Sequence, residues 1–107
     1  MLPRGGTPLS PATPSPLNII FRIHAVQRMF ERLINAEGVR HVLETGEVSE
    51  NYPADKPYPS RLVLGWRGER PIHVVAAQDA RDGQTIVITV YEPSPYEWED
   101  DFRRRKL

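Results

Sequence analysis

The chain has 107 residues, no cysteine, 39% hydrophobic residues and 14 Lys plus Arg against 14 Asp plus Glu. That length supports one small core, the missing cysteine excludes disulfides and thiolate chemistry, and a net charge of zero gives no whole-chain case for a polyanion partner. No apolar run approaches the roughly 20 residues that span a bilayer, and no basic segment with an apolar h-region opens the chain, so a cytoplasmic protein is expected.

Residues 1–17 carry Pro3, Pro8, Pro11, Pro14 and Pro16 among Gly, Ser and Thr. Such a composition buries too little apolar surface to offset ordering, and it reads as a disordered Pro-rich tail before one domain over 18–107. Asn18 to Ile23 can form a short strand, followed by a first helix over roughly His24 to Ile34. Asn35 is a good N-cap for a second helix, with Val39, Val42 and Leu43 at core spacing and Gly46 as a left-handed stop. A strand over Glu47 to Tyr52 leads into a loop stiffened by Pro53, Pro57 and Pro59.

Arg61 to Trp66 alternates, with Leu62, Leu64 and Trp66 inward and Arg61 and Val63 outward. Pro71 to Gln78 and Thr85 to Tyr91 complete a meander, the latter with Ile86, Ile88 and Val90 on one face and Thr85, Val87, Thr89 and Tyr91 on the other. Ser94 and Glu97 fit a capping box, Pro95 falls at N1, and Trp98 and Phe102 lie four apart, which predicts a C-terminal helix. The expected fold is α+β: two N-terminal helices on an antiparallel sheet of about four strands, plus that last helix.

The most informative chemistry lies in the first helix. At 100° per residue, with His24 at 0°, Arg28 falls at about 40°, Glu31 at about −20° and Arg32 at about 80°, while Ala25, Val26, Met29, Phe30 and Leu33 fill an apolar arc from about 100° to 240°. An imidazole beside two permanent cations is an anion site in outline; an ordinary solvated face, with Glu31 pairing Arg28, has the same spacing. From Asn18 to His41, four arginines face two glutamates, a local surplus of 4 − 2 = 2 positive charges.

His73 lies in a strand apolar on both faces, where a core histidine is commonly structural. If outward residues of neighbouring strands pair, Arg61, His73, Thr89 and Tyr91 share one face. Lys56, beside Tyr58 in the Pro-rich loop, can cover a site or simply be solvated. His41 reads as a surface residue. No P-loop, dinucleotide fingerprint or zinc-protease motif is present, and neither a cofactor nor a metal is expected.

His24-Ala-x-x-Arg28-Met29-x-Glu31-Arg32, Val42-Leu43-Glu44-Thr45-Gly46-Glu47, Asp55-Lys56-Pro57-Tyr58-Pro59-Ser60, Pro71-x-His73-Val74-Val75 and Ile86 through Pro93 together resemble the bacterial domain-of-unknown-function family 4258. The resemblance runs from about Phe21 to Lys106. It implies small proteins encoded beside antitoxins of the zinc-ribbon plus helix-turn-helix type, like those that accompany MqsR, with a distant likeness to BrnT and RelE-like ribonuclease toxins. On that analogy His24, Arg28 and Arg32 match a helix motif, and His73 and Tyr91 match strand motifs. The second helix departs from the family pattern at its start, where Asn-Ala-Glu-Gly replaces Gly-Ile-Ser or Gly-Ile-Thr.

The resulting expectation is a metal-independent endoribonuclease toxin that cleaves single-stranded mRNA by 2′-OH attack. His24, His73, Arg28 and Tyr91 are its catalytic candidates, and Arg32, Lys56, Arg61 and Thr89 contact the RNA. The expected partners are RNA and the antitoxin, with no membrane. The competing expectations are a non-catalytic RNA- or protein-binding module using the same basic face, and an interaction domain whose polar helix face is merely solvated.

Overall fold

The chain runs β1 (Asn18–Phe21), α1 (Ile23–Arg32), α2 (Ala36–Thr45), β2 (Glu47–Tyr52), β3 (Ser60–Arg67), β4 (Arg70–Asp79) and β5 (Gln84–Tyr91). These elements come from a computed structural model that describes residues 17–79 and 81–107. The expected tail therefore lies outside the described residues apart from Leu17, whose carbonyl accepts from Arg40 at 2.8 Å. Among the described residues no helix is long and apolar enough to cross a membrane.

The protein is α+β, as its pattern predicts, but the sheet is five-stranded and mixed, in the order β1-β5-β4-β3-β2. The last four strands form an antiparallel meander, whereas β1 lies parallel to β5 at the edge. A parallel neighbour requires a long crossover, and both helices and three strands separate β1 from β5 in the chain.

Asn35 caps α2 as expected, its side chain accepting from Gly38 N at 2.8 Å. Gly46 ends that helix, yet not through a left-handed turn: its φ is −79° and its ψ −179°. Close approach is the reason for glycine here, because a Cβ on Gly46 falls 2.5 Å from the Leu64 carbonyl oxygen and 2.6 Å from that of Val42. The left-handed residue is instead Leu33, φ 58°, which closes α1 and lets Ile34 turn back into the core.

Both faces of the sheet are covered, which corrects the assignment of inward residues on β3. Val63 belongs to the core beneath the helices with Val39, Val42, Ile72, Val74, Val87 and Val90. Leu62 and Leu64 lie on the opposite face and are just as deeply buried. The parity expected for β5 also fails, because the pairing shifts from Val75–Thr89 to Ala76–Val87 and leaves Ile88 as an extra residue. That bulge brings Val87 and Val90 onto one face across an interval of three.

No C-terminal helix forms. Ser94 Oγ accepts from Tyr96 N, and Glu97 N and Trp98 N both donate to the Ser94 carbonyl, so the capping signals complete a single turn. Trp98 then pairs with Arg105 in an antiparallel bridge, with Phe102 left-handed at φ 59° in the reversal between them. Burial explains the departure from helix. Trp98, 2% exposed, packs edge-on to His73 at 4.4 Å between ring centroids, and Phe102 packs edge-on to Trp66 at 6.0 Å. Arg103 adds a two-pronged bond to Glu47 at 2.7 and 2.9 Å, clamping the hairpin to β2.

Candidate functional site

The site arises where β1 stops short. Its pairing ends at Phe21–Val87, and Arg22 N donates to the Val87 carbonyl before the chain enters α1. β5 continues to Tyr91, so α1 flanks a strand edge that β1 has left. Between them lies a concavity of about 380 Å³, lined by His24, Arg28 and Arg32 of α1, Thr89 and Tyr91 of β5, and Glu92, Pro93, Ser94, Glu97 and Trp98 beyond it. Five of the eight candidate residues thus line one cavity, and the polar stripe of the first helix is the wall of a pocket.

The charges there are available to a ligand. Arg28 meets Glu31 at 3.5 Å with both side chains around half exposed, a surface pair of little strength that a phosphate can displace. Arg32 lies in the last turn of α1, where the helix dipole favours a cation. Arg70 ties the two walls from behind, donating to the Arg32 carbonyl and to Glu92 at 2.8 Å. Among the described residues no group of three or more His, Asp or Glu is arranged to hold a metal ion.

His73 does not line the cavity. It is fully buried, with Nε2 bonded to the Phe102 carbonyl at 2.8 Å and Nδ1 at 3.2 Å from the Tyr91 hydroxyl. A carbonyl only accepts, so Nε2 carries the hydrogen and, in the neutral ring, Nδ1 accepts from Tyr91 O–H. Burial holds the His73 pKa below the ordinary imidazole value against the Phe102 bond, and Arg105, stacked on Trp98 at 4.7 Å, acts in the same direction as burial. The register pair His73–Tyr91 places this neutral ring directly behind a residue of the pocket.

A pH dependence follows from the sign of that shift. The unfolded chain takes up the His73 proton first as pH falls, so this residue's contribution to stability is whole above about pH 6.5 and declines towards its lowered folded value. Urea unfolding of wild type and His73→Gln between pH 7.5 and 5 is expected to show a smaller loss of stability on acidification in the variant. Parallel slopes would contradict the assignment.

Lys56 and Arg61 are not brought to the site. Tyr58 donates to Asp79 and Ser60 to Asp55, which pins the Lys56 loop near the β5 start, roughly 20 Å along the strand from Tyr91. Arg61 pairs with Ala76, which in turn faces Val87, and therefore shares the helix-covered face rather than the face of His73, Val75, Thr89 and Tyr91. The residues missed from sequence are Arg70, Glu92, Glu97 and Trp98. In the sequence Ser94 and Glu97 carry helix-capping signals; the signal for the site is chemical, a carboxylate beside an indole just past the last strand.

The apolar arc of α1 is only half used. Ala25 and Met29 are buried, while Ile23, Val26, Phe30 and Leu33 are 77%, 50%, 84% and 86% exposed. With one flank on the core and another on the cavity, the remaining apolar residues face solvent.

A family model described as "Domain of unknown function (DUF4258)" matches residues 21–92. No curated protein and no solved structure matches the chain.

Proposed function

We propose, for a chain that belongs to the DUF4258 family, that it is a metal-independent endoribonuclease acting on single-stranded RNA, the toxin of a type II toxin–antitoxin pair with a RelE- or BrnT-like character. The observation that carries this reading is the convergence of His24, Arg28, Arg32, Thr89 and Tyr91 on one cavity large enough for a nucleotide. Arg28 and Arg32 bind the scissile phosphate and stabilise the charge that builds on its oxygens as phosphorus becomes five-coordinate. His24, exposed at the rim, performs one of the two proton transfers.

Tyr91 commits its hydroxyl hydrogen to His73 and keeps its oxygen lone pairs as acceptors for a ribose hydroxyl. Burial also raises its pKa above the usual phenol value, so the hydroxyl stays protonated. His73 is then a positioning residue that fixes Tyr91 rather than a group touching RNA. The exposed stripe Ile23, Val26, Phe30 and Leu33 suits a protein partner, consistent with an antitoxin of the zinc-ribbon plus helix-turn-helix type.

The purified chain, incubated with single-stranded RNA in EDTA, is expected to yield fragments ending in 2′,3′-cyclic phosphate and 5′-hydroxyl. Salt-dependent RNA binding without any product would replace this reading with a non-catalytic module.

A further inference from the structure

We infer that Glu97 is the general base of the site, taking the 2′-OH proton while His24 protonates the leaving oxygen. The inference rests on the ribonuclease reading and names the group it leaves open. Cleavage of RNA by its own 2′-OH needs two proton transfers, and His24 accounts for one. His73, buried with both nitrogens bonded, has no reach to substrate. Tyr91 has its hydrogen committed to His73, and protonating His73 through it would create a cation in a buried site beside Arg105. Glu92 faces the cavity, but its carboxylate is already committed to Arg70 at 2.8 Å.

Glu97 remains. It lines the cavity with His24 and Arg28, and its carboxylate has no ion-pair or hydrogen-bond partner among the described residues. It shares the cavity lining with Tyr91, the proposed ribose acceptor. Its backbone is firmly held: Glu97 N donates to the Ser94 carbonyl at 3.0 Å, Lys106 N donates to the Glu97 carbonyl at 2.8 Å, and the adjacent Trp98 is buried against His73. A carboxylate on a hydrogen-bonded turn in the same cavity as an exposed imidazole supplies the two groups that the two proton transfers require.

The step balances without a co-reactant. Glu97 takes the 2′-OH proton as O2′ bonds to phosphorus, the P–O5′ bond breaks, and the imidazolium of His24 gives its proton to O5′. The cyclic phosphate and a 5′-hydroxyl leave, and solvent exchange returns each group to its starting state. Glu97 lies outside residues 21–92, so the base comes from beyond the matched family region.

The test uses the full chain and a single-stranded RNA oligonucleotide, comparing wild type, Glu97→Gln and Glu97→Asp from pH 5 to 8. A matching oligonucleotide with 2′-deoxyribose throughout measures binding without cleavage. Glu97→Gln is expected to lower kcat about 100-fold and to lose the acidic limb of its pH profile, with binding and unfolding midpoint unchanged. Glu97→Asp should recover part of kcat. Cleavage by Glu97→Gln within threefold of wild type, or a loss confined to binding, would overturn the assignment and leave the ribonuclease reading intact. Wild-type protein that binds RNA and never cleaves it would remove both.

Discussion

Arg28→Ala is expected to slow RNA cleavage about 100-fold, through kcat more than through KM, because a donor aimed at a developing oxyanion typically contributes a factor of this size. Arg28 is the cavity cation nearest His24 on the helix surface, one turn along, so both line the cavity from one wall. Its resting partner Glu31 holds it at only 3.5 Å on the surface, so the bound phosphate competes against little. Arg28→Lys should restore only part of the rate, since an ammonium lacks the planar fork. His24→Ala should lose a similar factor while binding RNA almost normally. If Arg28→Ala cleaved within threefold of wild type, the cavity would not be where the phosphate reacts.

Gly46→Ala carries the largest expected effect on stability. The added methyl falls 2.5 and 2.6 Å from two backbone carbonyl oxygens, those of Leu64 and Val42, which no rotamer change can relieve. Its position between α2 and β2 means that relief must separate the helix from the sheet, exposing Val42 and Val63. A cost of about 3 kcal/mol follows, lowering the midpoint of thermal unfolding by roughly 10–20 °C in a domain this small. Gly68→Ala is the useful contrast: φ is +64° there and nothing lies within 4 Å of the new methyl, so it tests backbone strain alone and should cost about 1 kcal/mol. A Gly46→Ala protein as stable as wild type would mean that α2 and β3 pack less closely than described.

The contrast between α1 and the C-terminal segment shows where local pattern suffices. Helix α1 was legible because its polar stripe and its buried Ala25 and Met29 recur at helical period, and periodicity is a property of sequence alone. The segment after Ser94 carried equally explicit helix signals and folded as a turn and hairpin. In the hairpin Phe102 gives its carbonyl to His73 and its ring to Trp66 while Trp98 is buried against His73, and these contacts outweigh the capping energy of one short helix. Strand β5 was legible as a strand but not in its facing, since a single extra residue at Ile88 inverts parity and leaves no mark in composition.

The sequence by itself determined an α+β architecture with the right first seven elements in the right order, family membership, and the helical stripe His24, Arg28 and Arg32, because each of these is written in local spacing or in ordered blocks. Only the tertiary structure decided what that stripe faces. The early end of β1 opens the edge of β5, the bulge sets which residues share a face, and the hairpin after β5 carries Glu97 to the rim of the cavity. Those decisions are non-local: each depends on which surfaces meet, so His73 is the support behind Tyr91, Lys56 and Arg61 lie away from the cavity, and Glu97, whose local spacing signals a helix cap, lines the same cavity as His24.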